Sequence, residues 1–247
     1  MIIKLINLKK PWLWSIILLI SQLSWANEIE FTDSITQEDF KDFVKELGVV
    51  SWFNPITPAE PMGILGFDVA VDTVVTDISE DKDFWRKMVA DNDPFSYFAT
   101  PRLHIQKGLP FGIDLGAMYA VVPNSNVKLW GLEARYALLE GTTITPALSV
   151  RASYSALNGV DDVDLSTFSL DAWVSKGILM ITPYAGASAI GIQGSENSDK
   201  VALDSVTETD FKTFVGIEFS PFPLVIINGE ISFGEIPQYG LKIGVKF

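Results

Sequence analysis

From Gly63 to the end of the chain, apolar and polar residues alternate with a period of two. That is the pattern of strands with one apolar and one polar face. Ten such segments run near 65–76, 97–107, 110–121, 127–138, 143–155, 165–175, 178–192, 209–219, 224–233 and 237–247. Only Asp83 to Ala90, inside a connection, breaks the run with a helical pattern. Residues 27–62 read differently. Ser34 or Thr36 can cap a short helix with Gln37 or Asp39 at the capping-box position. Phe40, Phe43, Val44 and Leu47 then recur at helical spacing, with Gly48 as the expected stop. The stretch Asn54-Pro-Ile-Thr-Pro-Ala-Glu-Pro61 follows as an extended linker.

The connections alternate in kind. Lys107 to Pro110, Glu140 to Thr142, Lys176 to Ile178 and Ser220 to Pro223 are short, whereas 77–96, Asn158 to Asp164 and Gly194 to Glu208 are long and acidic. Asn124-Ser-Asn126 and Glu235 to Gln238 depart from the trend by being short. Short turns at one end and long loops at the other match the asymmetry of outer-membrane barrels, and strands of this length suffice to cross a bilayer at a tilt. The expected fold is all-β, an antiparallel transmembrane β-barrel of about ten strands, with eight or twelve as alternatives. One face carries Val69, Val71, Leu103, Ile105, Leu115, Leu132, Val150, Leu170, Val215 and Ile231. Turned outward it forms a band for lipid; turned inward it would be the core of a soluble barrel or sandwich. Tyr119, Trp130, Tyr154, Phe168, Phe211, Phe233 and Tyr239 would ring the loop-side edge of that band. Phe111, Tyr136, Phe219 and Phe247 would ring the turn-side edge. Pro101, Pro146 and Pro183 fall inside proposed strands, and Tyr184 fits either face.

Residues 1–26 read as a signal peptide, with Lys4, Lys9 and Lys10 before the apolar run Pro11 to Ile20 and Ser24-Trp25-Ala26 at the cleavage site. The expected division is therefore 1–26 signal peptide, 27–62 periplasmic helix and linker, and 63–247 barrel. Both termini of the mature chain should then be periplasmic. For 27–62 the simplest expectation is a small helix packed against the main domain; the alternative is a plug over the periplasmic mouth. A net charge of −13 disfavours nucleic acid as a partner, and the absence of cysteine removes disulfides, thiolate metal sites and cysteine nucleophiles.

The chain ends on Tyr239, Leu241, Ile243, Val245 and Phe247, an alternating strand with a terminal aromatic. This is similar to the C-terminal assembly signal that the insertion machinery reads in bacterial outer-membrane proteins. The chain also resembles uncharacterised proteobacterial outer-membrane β-barrel proteins through Pro58 to Asp68, Lys107 to Asp114, Asn124 to Gly131 and Thr182 to Gly186. The resemblance implies a barrel in the bacterial outer membrane, in contact with its lipids and lipopolysaccharide. It implies no activity and no catalytic residue.

The polar face carries Asp68, Asp72, Asp114, Glu133, Asp171, Glu218 and Glu230 against Arg102, Arg135, Arg151, Lys212, Lys242 and Lys246, with His104 beside them. Near-balanced charge predicts a paired network in a packed or narrow lumen rather than a wide pore. A lipid-active barrel enzyme would need a serine and an acid around His104 at the outer rim; the lone histidine reads better as a satisfied lumen residue. Asp161, Asp162 and Asp164, and Glu80, Asp81 and Asp83, could hold a divalent cation beside lipopolysaccharide phosphates, but read better as solvated loop charge. Phe84-Trp85 with Met88 would pack on the rim or touch a partner. No cofactor and no metal are expected. The leading reading is a non-enzymatic barrel, structural or a narrow channel for small solutes, ahead of a lipid-active enzyme using His104 or an interaction module built on the acidic loops.

Overall fold

The computed structural model describes residues 34–79, 82–88, 97–121, 127–160, 162–198 and 201–247. The signal-peptide segment, Asn124 to Asn126, and the loop acids Glu80, Asp81 and Asp161 lie outside the described residues.

Ten antiparallel strands close into one barrel. They are β1 Phe67–Asp77, β2 Tyr97–Gly108, β3 Ile113–Val121, β4 Lys128–Leu139, β5 Ala147–Asn158, β6 Val163–Ser175, β7 Ile181–Glu196, β8 Val206–Phe222, β9 Val225–Phe233 and β10 Gln238–Lys246. Each strand pairs with its sequence neighbours, and β1 pairs with β10 from Asp68↔Lys246 to Thr76↔Gln238 to seal the wall. Nothing is left as an open edge, which is how a barrel satisfies its backbone without water.

The three prolines sit where the ladder does not need them. Pro101 pairs with Thr73 on β1, beyond the β2–β3 register, which ends at Leu103↔Tyr119. Pro146 precedes β5, and Pro183 lies past the β6–β7 register, which ends at Ser175↔Tyr184.

The outer face is the apolar one. Val71, Leu103, Leu132, Leu170, Val215 and Leu241 are all exposed, and so are the aromatic residues of both edges. Tyr119 pairs across strands with Trp130, whose ring lies 5.7 Å from that of Tyr154, itself opposite Phe168. These neighbouring aromatics form a continuous arc around the loop-side edge.

Among the described residues two α-helices accompany the barrel, α1 (Gln37–Ser51) and the short α2 (Asp83–Met88) in the β1–β2 connection. Thr36 caps α1 and Asp39 closes the capping box. The expected small helix does pack against the main domain, but from within, and it does not lie over the turn-side mouth. Helix α1 stands inside the loop-side half of the lumen. Phe40, Phe43, Val44, Leu47, Val49 and Val50 pack against Met118, Leu129, Leu157, Leu165, Ile190 and Ile192 of the wall.

Gly48 does not end this helix, which continues to Ser51. It is the point of closest approach, since a Cβ there would lie 2.3 Å from Ile192, and one on Gly194 would lie 2.5 Å from Val44. Glycine is needed at both positions for contact rather than for a turn. After α1 the chain runs extended down the lumen, leaves at the turn side, reverses at Gly63 (φ 72°) and rises as β1.

Gly48→Leu is expected to destabilise the folded chain by about 1–3 kcal/mol through overpacking. It should also expose Lys41 and Lys45 to trypsin while the heat-dependent gel shift of the barrel survives. Combining it with Ile192→Ala should restore protection; unchanged protease sensitivity in the single variant would contradict this packing.

Candidate functional site

The polar residues of the inner wall surround the extended segment 52–62, and their geometry is that of a grip on its backbone. A chain in this conformation has no internal hydrogen bonds, so every buried N–H and C=O must find a partner in the wall. Pro55, Pro58 and Pro61 reduce the task by having no N–H to satisfy.

Three arginines supply most of the donors. Arg102 Nη1 donates to the Trp52 carbonyl at 3.1 Å and to Asn54 Oδ1 at 3.1 Å. Arg151 Nη2 donates to the Phe53 carbonyl at 2.6 Å. Arg135 reaches the carbonyls of Pro58 (2.8 Å) and Glu60 (3.2 Å). Neutral donors fill in between: Ser155 to Ser51 O, Trp173 Nε1 to Thr57 O, Ser149 to Ala59 O and Gln238 to Val49 O. The N–H groups are taken by acceptors of the wall, Ile56 by Glu230, Ala59 by Ser175 Oγ and Met62 by Asp114.

Each arginine is held from behind by a carboxylate on a neighbouring strand. Arg102 Nε meets Asp72 at 2.6 Å, Arg135 Nε meets Asp114 at 2.8 Å, and Arg151 bridges Glu133 and Asp171 at 2.7 Å each. The register sets these pairs side by side, with Asp72↔Arg102, Asp114↔Arg135 and Arg151↔Asp171 directly opposite. Their side chains are no more than 1% exposed. Pairing is what permits such charges to be buried at all. The Arg151 guanidinium also stacks over Phe53, 5.5 Å from the ring centre.

The remaining network residues fall into smaller groups. Lys242 pairs with Asp68 at 2.6 Å, and Lys246 pairs with Glu218 at 3.2 Å, with Asn228 donating to the same carboxylate. Lys212 pairs with Asp210 at 3.2 Å and donates to the Ile236 carbonyl. His104 is buried between Asp72 and Glu133, each 3.6 Å from a ring nitrogen, and its ring meets Phe53 edge-on at 5.0 Å. It is brought to acids but sealed inside the lumen rather than set at a rim. The terminal residues Tyr239, Leu241, Ile243, Val245 and Phe247 are on the outer face, away from this network.

Several participants escape sequence reasoning. Asp210, Trp173, Tyr184 and Phe214 all point inward and are buried. Tyr184, Phe214 and Trp173 cluster on Ala59 of the threaded segment. Tyr184 fits because Gly216 opposite it has no side chain; a Cβ there would lie 2.1 Å from the tyrosine ring. A signal was present: Leu129, Leu157, Leu165, Ile190 and Ile192 are apolar residues in the polar phase of their strands, all near the loop side. Such intrusions mark an inner wall that receives an apolar body.

Ile56 is a β-branched residue with φ of 40°, buried and fixed by Glu230 at its N–H and by the space over Gly240. A conformation of this kind costs on the order of 1–3 kcal/mol and persists only where its surroundings enforce it.

At the loop-side mouth three ion pairs bind α1 to the connections and to the start of β8. Lys87 meets Asp39 at 2.7 Å, Lys41 meets Glu208 at 3.3 Å, and Lys45 meets Glu235 at 2.5 Å. Trp85 Nε1 donates to the buried Glu46 and its ring meets Phe43 edge-on at 5.2 Å, so α2 packs along the side of α1. Burial pushes the Asp39 carboxyl up, but hydrogen bonds from Lys87 and Thr36 outweigh it and leave it lowered. The hydrogen bond between Lys45 and Glu235 holds the Glu235 carboxyl below its ordinary value and raises the Lys45 ammonium.

No protein-family model matches the sequence, and no curated protein matches it. Solved structures do. The KdgM porin aligns over 73% of this chain and 99% of its own, with 10% identity and a TM-score of 0.38. The attachment invasion locus protein Ail of Yersinia pestis aligns over 74% and 98%, with 11% identity and a TM-score of 0.31. The translocator domain of the autotransporter NalP from Neisseria meningitidis aligns over 74% and 88%, with 13% identity and a TM-score of 0.37. At these distances the likeness says nothing of what the lumen does, and the functional reading rests on this chain's own geometry.

Arg135→Met would strand the Asp114 carboxylate in the wall and is expected to cost about 3–5 kcal/mol, while adding Asp114→Asn should recover a large part of it. Urea unfolding of the refolded barrel measures both; equal losses in the single and double variants would count against the grip. The pair at the mouth is weaker. Glu235 contributes stability above its ordinary carboxylate range and loses it as pH falls through its lowered value, whereas Lys45 loses its share only at alkaline pH, above its raised value. Glu235 is 69% exposed, so screening limits the pair to about a few tenths of a kcal/mol. Thermal unfolding between about pH 7 and about pH 3 should reveal a small, salt-sensitive decrease that shrinks in Glu235→Gln.

Proposed function

We propose that this chain is a non-enzymatic barrel of the bacterial outer membrane whose lumen is closed at rest by its own N-terminal segment. The single observation that carries the reading is the extended stretch 52–62, gripped through the lumen by wall arginines on paired carboxylates. Membrane placement is supported by the outer face. A belt of exposed Val, Leu and Ile edged by aromatics is far larger than the apolar patches that soluble monomers tolerate, and it matches a lipid-facing band. Its lipid partners would be those of the outer membrane, lipopolysaccharide included, with the loop side outward. The alternating strand Tyr239 to Phe247 would be the part that the insertion machinery reads.

A passive open pore is disfavoured by packing. Trp52, Phe53 and Ile56 of the segment and Trp173 and Phe214 of the wall are all buried inside the lumen, in the space that an open pore would need. A lipid-active enzyme finds no support in the place of His104, which is enclosed by Asp72, Glu133 and Phe53 away from the lipid-facing surface. The function that remains is structural, or that of a narrow channel opened only when the segment is released.

In planar bilayers the refolded mature chain is expected to show no steady conductance. A chain lacking residues 27–62, shown to be folded by its heat-dependent gel shift, should give discrete steps. Persistent conductance by the intact chain would refute a closed lumen, and silence of the folded truncated chain would leave the structural role alone.

A further inference from the structure

The direction of the threaded segment has a consequence for where the chain's ends lie. Helix α1 begins at the loop-side mouth, where Gln37 exchanges hydrogen bonds with Asp204 of the β7–β8 connection at 3.0 and 2.9 Å. Lys41 and Lys45 bind Glu208 and Glu235 at the same end. Successive residues of the chain then meet deeper partners, Arg102 at Trp52, Arg151 at Phe53, Arg135 at Pro58 and Asp114 at Met62. It leaves at the turn side, where the Gly66 carbonyl accepts from the Gly108 N–H at 3.0 Å. The other end of the chain is there too, since Phe247 and Phe67 exchange backbone hydrogen bonds. The segment therefore runs antiparallel to β1, and its start and the C-terminus lie at opposite mouths.

We propose that the barrel carries its N-terminus through itself, delivering the polypeptide that precedes Thr36 to the loop-side surface while the C-terminus stays on the turn side. This rests on the outward orientation of the loops proposed above, and it replaces the expectation of two periplasmic termini. The lumen leaves no return path. Phe40, Phe43, Trp52 and Phe53 are fully buried against the wall, so a second strand of chain cannot pass back beside them. Nor can the segment be inserted afterwards. The β1–β10 seam is paired over nine residue positions, which shuts the lateral way in, and threading Phe40, Phe43, Trp52 and Phe53 from the turn-side mouth would first have to break the buried arginine–carboxylate pairs along the path. The wall closes around the segment, so its direction is fixed during assembly. The outward surface then consists of the loops together with whatever chain leads into α1.

The test uses the untagged chain first. Between Asn27 and Phe40 there is no lysine, so after signal-peptide removal a tryptic peptide that ends at an unmodified Lys41 can carry the label only on its α-amine. Intact cells are treated with a membrane-impermeant amine reagent and the labelled peptide is quantified by mass spectrometry before and after permeabilisation. Labelling in intact cells comparable to that after permeabilisation is expected. Loss of labelling in intact cells would overturn the proposal. A second strain carries one epitope after Asn27 and another after Ser198 in the β7–β8 connection, with the gel shift reporting its fold. Both epitopes should bind antibody on intact cells. A reachable loop epitope with a hidden N-terminal one would overturn the threading while leaving the barrel's orientation intact. Two hidden epitopes would overturn the orientation, and the surface N-terminus with it.

Discussion

The structure depends on how an extended, buried backbone is satisfied without becoming a strand. Segment 52–62 crosses the lumen with no ladder of its own, and its carbonyls are met by Arg102, Arg151 and Arg135. Each arginine is in turn fixed by a carboxylate set opposite it by strand register. Neither half stands alone. Without the carboxylates the guanidiniums would be unpaired charges in a dry interior, and without the guanidiniums the segment's carbonyls would be orphaned at a cost of about 1–3 kcal/mol each. The prolines of the segment lower the demand from the other side, by deleting donors and by restricting the unfolded chain.

The inner wall is divided along its height to match what it holds. Toward the loop side it is apolar, with Leu129, Leu157, Leu165, Ile190 and Ile192 around a helix whose own hydrogen bonds are internal. Lower down it is charged, where the chain is extended and its backbone needs partners. Glycine marks the closest contacts, Gly48 and Gly194 at the helix and Gly216 beneath Tyr184. The outer wall has no such division into apolar and charged halves; it is aliphatic along the belt and aromatic at both edges.

Most of the barrel could be read directly. The ten alternating segments, the short-turn and long-loop ends and the polar-face acids and bases all follow from side-chain alternation, which is a local property of a strand. Thr36 and Asp39 announced the helix for the same reason. The residues that were missed answer to partners distant in sequence. Gly48 reads as a helix stop until Ile192 is seen against it, and Tyr184 fits both faces until Gly216 is found opposite. The Pro-rich stretch reads as a linker because extended chain looks alike in solvent and in a lumen.

The amino-acid sequence by itself determined the strand period, the apolar face, the charge balance of the other face and the presence of one capped helix. Each of these is set by residues within a turn or two of one another. Only the tertiary structure decided that the helix and linker lie inside the barrel, and in which direction they run. That choice rests on contacts between residues more than a hundred positions apart, such as Ile56 with Glu230 and Val49 with Gln238. They exist only once the wall has closed around the chain.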